Sequence, residues 1–145
     1  MAENHDKVRI LTVVPEEMQG EIRRQISAFG MSPVFVSRAT ELGHFVRSGE
    51  VYQIALLPAV LPDMDWWTVW GELALLNPRP AILVYAHSAS FQLWSGVLEA
   101  GGYDVIVEPF TDEKLKEALL RAAESFKRRA LNDVKDGGGD SAGEE

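Results

Sequence analysis

The side chains able to do chemistry are few, and most fall at the starts of helical runs or in loops. Glu16 and Glu17 are adjacent, and Asp63 and Asp65 flank Met64 in "LPDMD". Clustered carboxylates can ligate a hard divalent cation or act as a phosphoryl acceptor. Each pair also has a plainer reading. Glu16 and Glu17 suit the first turn of a helix, whose dipole favours acids, and Asp63 and Asp65 suit a turn and cap after Pro62. His44 and His87 have no second histidine or carboxylate at ligand spacing. His87 follows an apolar run and is placed to sense pH if it borders a pocket; otherwise it is a solvated loop residue. Ser88 and Ser90 read as helix-start residues. The chain has no glycine-rich phosphate loop, zinc spacing or nucleophile elbow. Zero cysteines exclude disulfides, thiolate metal sites and cysteine nucleophiles.

Stepping along the chain, short apolar runs alternate with runs of helical spacing. "VRILTVV" (Val8 to Val14), "PVFVS" (Pro33 to Ser37), "YQIALL" (Tyr52 to Leu57), "AILVYA" (Ala81 to Ala86) and "DVIV" (Asp104 to Val107) read as five buried strands. Between them, Met18, Ile22, Ile26 and Phe29 predict a first helix, and Ala39, Leu42, Phe45 and Val46 a second. The third helix is expected over Trp66 to Leu76, with Trp67, Trp70, Leu73 and Ala74 as its apolar stripe. Phe91, Trp94, Val97 and Leu98 predict the face of the fourth, closed by Gly101 and Gly102. The fifth opens at Thr111, a good N-cap, and buries Leu115, Leu119, Ala122 and Phe126. Five βα units joined by short loops predict an α/β fold, a doubly wound parallel sheet with helices on both faces.

Composition sets the class. The chain has 145 residues, 46% hydrophobic and 25% charged, which suits a single globular domain. Net charge is −8 with a pI near 4.9, which argues against nonspecific nucleic-acid binding. From Asn132 onward five acids face one base, so that segment carries −4, half of the total. The expected organisation is an N-terminal extension at 1–7, one domain at 8–131, and an acidic glycine-rich tail at 132–145 without structure. No apolar run approaches the roughly 20 residues of a membrane span. "MAENHDK" is not a signal peptide, so the cytoplasm is the expected compartment.

With "LPDMD" and "EPF" at these places in a five-fold βα chain, the sequence resembles the receiver domain of two-component response regulators. "YQIALLPAVLPDMDWW" resembles the family's "YDLVLLDIMLPDMDG", and "EAGGYDVIVEPF" its "AGADDYLVKPF". The resemblance spans Val8 to about Arg129 and implies the strand order 2-1-3-4-5 of the flavodoxin/CheY-like fold. It also implies where the phosphorylation machinery belongs, and there the chain departs from it. The acidic pair that holds Mg²⁺ falls on Val14 and Pro15, and the phosphoacceptor aspartate on Pro58. The hydroxyl residue falls on Tyr85, the lysine on Glu108, and the switch aromatic on Val105. Glu108 precedes Pro109, a bond that receivers keep cis.

Aspartyl phosphorylation needs a carboxylate nucleophile, a metal and fixed positive charge. Proline offers no nucleophile, and Val14 and Pro15 offer no oxygen ligands for Mg²⁺. Glu108 puts a like charge beside an incoming anion, costing at least about 1 kcal/mol at ~4 Å even in water. The first reading is a pseudo-receiver: no enzyme, no cofactor, no metal, acting as an interaction module in two-component-type signalling. On the resemblance, its partner is a signalling protein or a second copy, met through the fourth helix, fifth strand and fifth helix. Trp94 and Val105 are the candidate contacts. Nucleic acid and membrane are not expected partners. The alternative is a small-molecule sensor whose apolar crevice is lined by Pro58, Val14, Tyr85 and Trp66. A weaker reading makes Asp63 an unconventional phosphoacceptor.

Trp66, Trp67 and Trp70 cannot all be buried, since they span about 400° of helical turn. At least one is expected at the surface, where tryptophan favours interfaces. Trp94 either anchors an interface or packs inward with Phe91 and Leu98.

Overall fold

Every apolar run of the sequence has to be covered on two faces, and the sheet order shows how this is done. The computed structural model describes residues 7–37, 41–59, 66–88 and 90–139, with backbone alone at 66–67 and 133–139. The strands are β1 (Arg9–Val13), β2 (Ser32–Val36), β3 (Ile54–Pro58), β4 (Ala81–Ala86) and β5 (Asp104–Val107). The helices are α1 (Glu16–Ala28), α2 (Leu42–Arg47), α3 (Trp66–Ala74), α4 (Phe91–Glu99) and α5 (Asp112–Gly139). The sheet is wholly parallel, in the order β2-β1-β3-β4-β5. This is the flavodoxin/CheY-like arrangement that the sequence implies.

Alternation along the strands divides the core into two layers. Ile54 and Leu56 of β3, with Leu83 and Tyr85 of β4, meet Ile22 and Ile26 of α1 and Leu115, Leu119 and Ala122 of α5. Ala55 and Leu57, with Ile82 and Val84, meet Leu42, Val69, Leu73 and Val97 of α2, α3 and α4. At the α1–α5 seam, the buried amide of Gln25 donates to Asp112 Oδ1 at 2.8 Å, and Arg24 reaches the same oxygen at 3.1 Å. These two contacts, the Gln25 bond foremost, hold the Asp112 carboxyl below its usual pKa. Thr111 caps α5 as expected, accepting from the Lys114 amide at 3.1 Å.

Three sequence expectations need correction. On α4 only Val97 is buried, while Phe91, Trp94 and Leu98 are 77%, 44% and 37% exposed. The inward side of this helix is set by Leu93 and Val97, which pack on the α3-side core. On α3 the covered stripe is Val69 and Leu73, with Trp70 partly covered and Ala74 exposed; the helix ends at Ala74, and Leu76, expected within it, is buried just beyond its end. The side chains of Trp66 and Trp67 lie outside the described residues. Finally, α5 does not end near 131 but runs to Gly139. No proline or glycine interrupts it before Gly137, so nothing in the backbone stops it earlier. The expected extension at 1–7 and the end of the tail lie almost wholly outside the described residues.

The turn between α4 and β5 is the tightest packing point next to the exposed face of α4. Gly102 donates to the Val97 carbonyl at 2.8 Å. A Cβ there would lie 2.5 Å from Val97 Cγ1, 2.9 Å from that carbonyl oxygen and 3.2 Å from Trp70 Cη2. Gly102→Ala is therefore expected to lower stability by about 1–3 kcal/mol in denaturant unfolding. Gly71→Ala, on α3 with open space around the new methyl, is expected to gain about 0.5–1 kcal/mol. Equal effects would contradict the packing described here.

Candidate functional site

In sheets of this kind ligands bind at the carboxyl ends of the strands. Four of those ends converge here. Val14, just after β1, is 1% exposed, and its amide is tied to the Val36 carbonyl of β2 at 3.2 Å. Pro15 then holds the N-cap position of α1 in an extended conformation, with no side-chain cap. Instead the Gln19 amide reaches back to the Val14 carbonyl at 3.2 Å. Glu16 and Glu17 follow as exposed first-turn residues.

Pro58 is the last residue of β3 and pairs in register with Tyr85. The β1–β3 pairing has already ended at Thr12↔Leu56, and the β3–β4 ladder closes with Ala59 N–H donating to the Tyr85 carbonyl at 2.8 Å. The proline thus sits where its missing N–H takes no bond from either ladder. By alternation it shares the α1–α5 layer with Ile54 and Leu56.

Tyr85 fills the end of that layer. It is 3% exposed, with its ring edge-on to Phe110 at 6.2 Å between centroids and its hydroxyl 4.0 Å from Met18 Sδ. Burial first, then the carboxylates of Glu108 and Glu17, pushes the phenol pKa above its ordinary value. Of the candidate pocket residues, Tyr85 is thus packed into the α1–α5 layer. The third wall, Trp66, and the candidate acceptors Asp63 and Asp65 lie outside the described residues.

Glu108 follows β5 and precedes Pro109 through a cis peptide bond. Its amide donates to the Ala86 carbonyl at 2.7 Å, and its side chain is 19% exposed. His87, from the loop after β4, brings Nδ1 to 3.8 Å from Glu108 Oε1 while remaining almost fully exposed. Sequence spacing could not pair them, because they come from different loops. What the sequence does show is that both follow the carboxyl ends of strands, which the topology makes neighbours. Val105 is partly buried on the α3–α4 side, while Val107, two residues on, is 39% exposed. His44 is exposed on α2 beside Phe45.

Among the described residues, the strand-end positions hold one carboxylate, Glu108, beside an imidazole, with Glu16 and Glu17 in the first turn of α1. The hard oxygen donors that Mg²⁺ requires are not supplied by Val14, Pro15, Pro58 or Tyr85. Among the described residues, no three histidine, aspartate or glutamate side chains come together as a metal site. Likewise, no helix among them is long and apolar enough to cross a membrane.

No family model and no curated protein matches the sequence. Solved structures do match in shape. A CheY-like response regulator receiver domain from Methanospirillum hungatei superposes with a TM-score of 0.73 at 20% identity, covering 85% of this chain and 98% of its own. The signal receiver domain of a LuxO repressor protein from Vibrio parahaemolyticus gives 0.74 at 17% identity, covering 86% and 96%. The receiver domain of a sensor histidine kinase from Pseudomonas aeruginosa, which holds a magnesium ion in its active-site cleft, gives 0.67 at 23%, covering 81% and 98%. At these identities the likeness is one of fold.

The raised Tyr85 pKa has a testable sign. The folded chain keeps this phenol neutral at a pH where the unfolded chain ionises it, beginning near pH 10. Its stabilisation is complete below that pH and is lost as pH rises beyond it. Tyr85→Phe is expected to be within about 1 kcal/mol of the parent at pH 7, because the hydroxyl's sulfur contact is weak. Above pH 10 its stability is expected to fall less steeply than the parent's. Parallel unfolding curves across that range would contradict the burial described.

Proposed function

We propose that this chain is a receiver-like domain that cannot be phosphorylated and serves two-component-type signalling as a protein–protein interaction module. One observation supports the reading: the strand-end positions where receivers do their chemistry carry, among the described residues, mostly apolar side chains. Val14 and Tyr85 are buried there, Pro58 ends β3, and the remaining ionisable group, Glu108, is an acid. Restoring one group does not restore the site. An aspartate at 58 still lacks metal ligands from the β1 end and a cation at the β5 end. The second reading, a ligand crevice between Pro58, Tyr85 and Trp66, is the less favoured because Tyr85 is 3% exposed.

Acetyl phosphate with Mg²⁺, followed by intact-mass measurement, is expected to leave the parent and the Pro58→Asp variant unmodified. Pro58→Asp is also expected to lose about 1–3 kcal/mol of stability, from a carboxylate set against Val14 and Tyr85. A gain of one phosphate that an acid-to-amide substitution removes would overturn the reading.

The interaction surface we propose is the exposed apolar stripe of α4. Phe91, Trp94 and Leu98 lie at helical spacing i, i+3, i+7, all exposed, and the Phe91 and Trp94 rings touch at 6.2 Å between centroids. Val107 adds an exposed apolar residue on β5, the edge strand. A partly exposed tryptophan with apolar neighbours is the kind of anchor that carries interfaces. In sedimentation of the chain alone, Trp94→Ala is expected to weaken self-association by roughly 30-fold or more, the equivalent of about 2 kcal/mol. Its melting curve should stay close to the parent's. An unchanged association constant retires the second copy as the partner on this face.

A further inference from the structure

The other side of α4 carries a feature that the interaction face does not use. A groove of about 560 Å³ runs between α3 and α4, lined by Trp70, Gln92, Leu93, Gly96, Val97 and Glu99 among others. That volume falls within the range of small-molecule sites. At about 100° per residue, Gln92, Gly96 and Glu99 lie roughly 130° around the helix from Phe91, Trp94 and Leu98. The groove and the apolar face are therefore separate surfaces of one helix.

One wall is the Trp70 indole, partly covered and near the Gly102 turn: its Cη2 would lie 3.2 Å from a Cβ placed on Gly102. Val97 is buried and Leu93 partly buried beneath it, forming an apolar floor. Gly96 brings bare backbone to the groove, with nothing within 4 Å of the Cβ it lacks. The space above it is open rather than filled by a neighbour.

The charge is one-sided. Glu99 is the one charged group among the described lining residues, and it makes no ion pair among the described side chains. It stands at the last residue of α4, where the helix dipole is negative, and the last turn holds no basic residue. A carboxylate and a helix C-terminus thus place negative potential at one end of a tryptophan-walled apolar groove. Arg79, across the Gly101 turn, lines a different cavity together with Arg129.

We propose that the α3–α4 groove binds a small organic cation with an apolar aryl or alkyl body, its ammonium at Glu99 and its body on Trp70. The Trp70 indole offers an aromatic wall for the aryl or alkyl body, and the floor of Leu93 and Val97 takes its hydrocarbon. The site lies away from the strand ends, so it stands whether or not the chain accepts phosphate.

The test uses 2-phenylethylamine as the probe and 2-phenylethanol as its uncharged counterpart, titrated into ¹⁵N-labelled full chain. With the amine, saturable shifts are expected at the Trp70 indole N–H and at the Gly96, Glu99 and Ala100 amides. The alcohol is expected to bind at least fivefold more weakly. Glu99→Gln should bring the two probes to within twofold of each other, and Gly96→Leu should abolish the shifts while the native spectrum and melting temperature hold. If Gly96→Leu fails to fold, the amine–alcohol comparison on the parent and on Glu99→Gln decides alone. Equal binding of amine and alcohol to the parent, no saturable shift in the groove, or amine binding unaltered by Glu99→Gln overturns the proposal.

Discussion

The final rung between β3 and β4 sets the character of the whole strand-end region. Pro58 and Tyr85 pair there, and Ala59 closes the ladder on the Tyr85 carbonyl. In a parallel sheet the residues just past this point would ordinarily face a crevice, where polar groups meet a ligand. Here Tyr85 turns into the α1–α5 layer and is held between Met18 and Phe110. Once that ring is buried, its surroundings must be apolar or neutral, because an unpaired charge in the layer costs several kcal/mol. Val14 at the end of β1 and Pro58 at the end of β3 satisfy that requirement. Glu108 stays at the rim, where His87 and solvent reach it.

Packing the strand ends shifts what the domain can use. The helices around the sheet keep their receiver-like placement, as the superpositions on receiver domains show. Of these helices, α4 is the least covered by the core, with only Val97 fully buried. The Gly102 turn lies close to both Val97 and Trp70, which leaves no room for a side chain there. The rest of α4 carries an exposed apolar stripe and, on its other side, an apolar groove towards α3. Neither surface requires a metal.

The strands and their layers were legible in the sequence because each is a short β-branched run bounded by turn residues. The face of α5 was equally legible, since Leu115, Leu119, Ala122 and Phe126 stand at helical spacing and all are buried, while Leu120 and Leu131, off that face, are exposed. On α4 the same signal fails. Phe91, Leu93, Trp94, Val97 and Leu98 form one continuous apolar arc of about 160°, and the core covers only its Leu93–Val97 side, so periodicity alone cannot say which part is buried. Contacts with Trp70 and Gly102, distant in sequence, decide it. The burial of Tyr85 was hidden for a related reason: its position at a strand end was visible, but Met18 and Phe110, the side chains it packs against, come from other elements. The alignment of Pro58 with a reactive position was legible from the resemblance, and its place as the last residue of β3 agrees with a proline that interrupts no ladder.

The central claim is that packed apolar groups occupy the place of a phosphoryl site. Its most direct measurement is a titration of the ¹⁵N-labelled chain with Mg²⁺ and beryllofluoride, a phosphoryl mimic, followed at the amides of Val14, Ala59, Tyr85 and Glu108. The account predicts no saturable shift at these amides up to millimolar concentrations. Saturable shifts centred on them, dependent on both magnesium and beryllofluoride, would show a working acceptor site and contradict it.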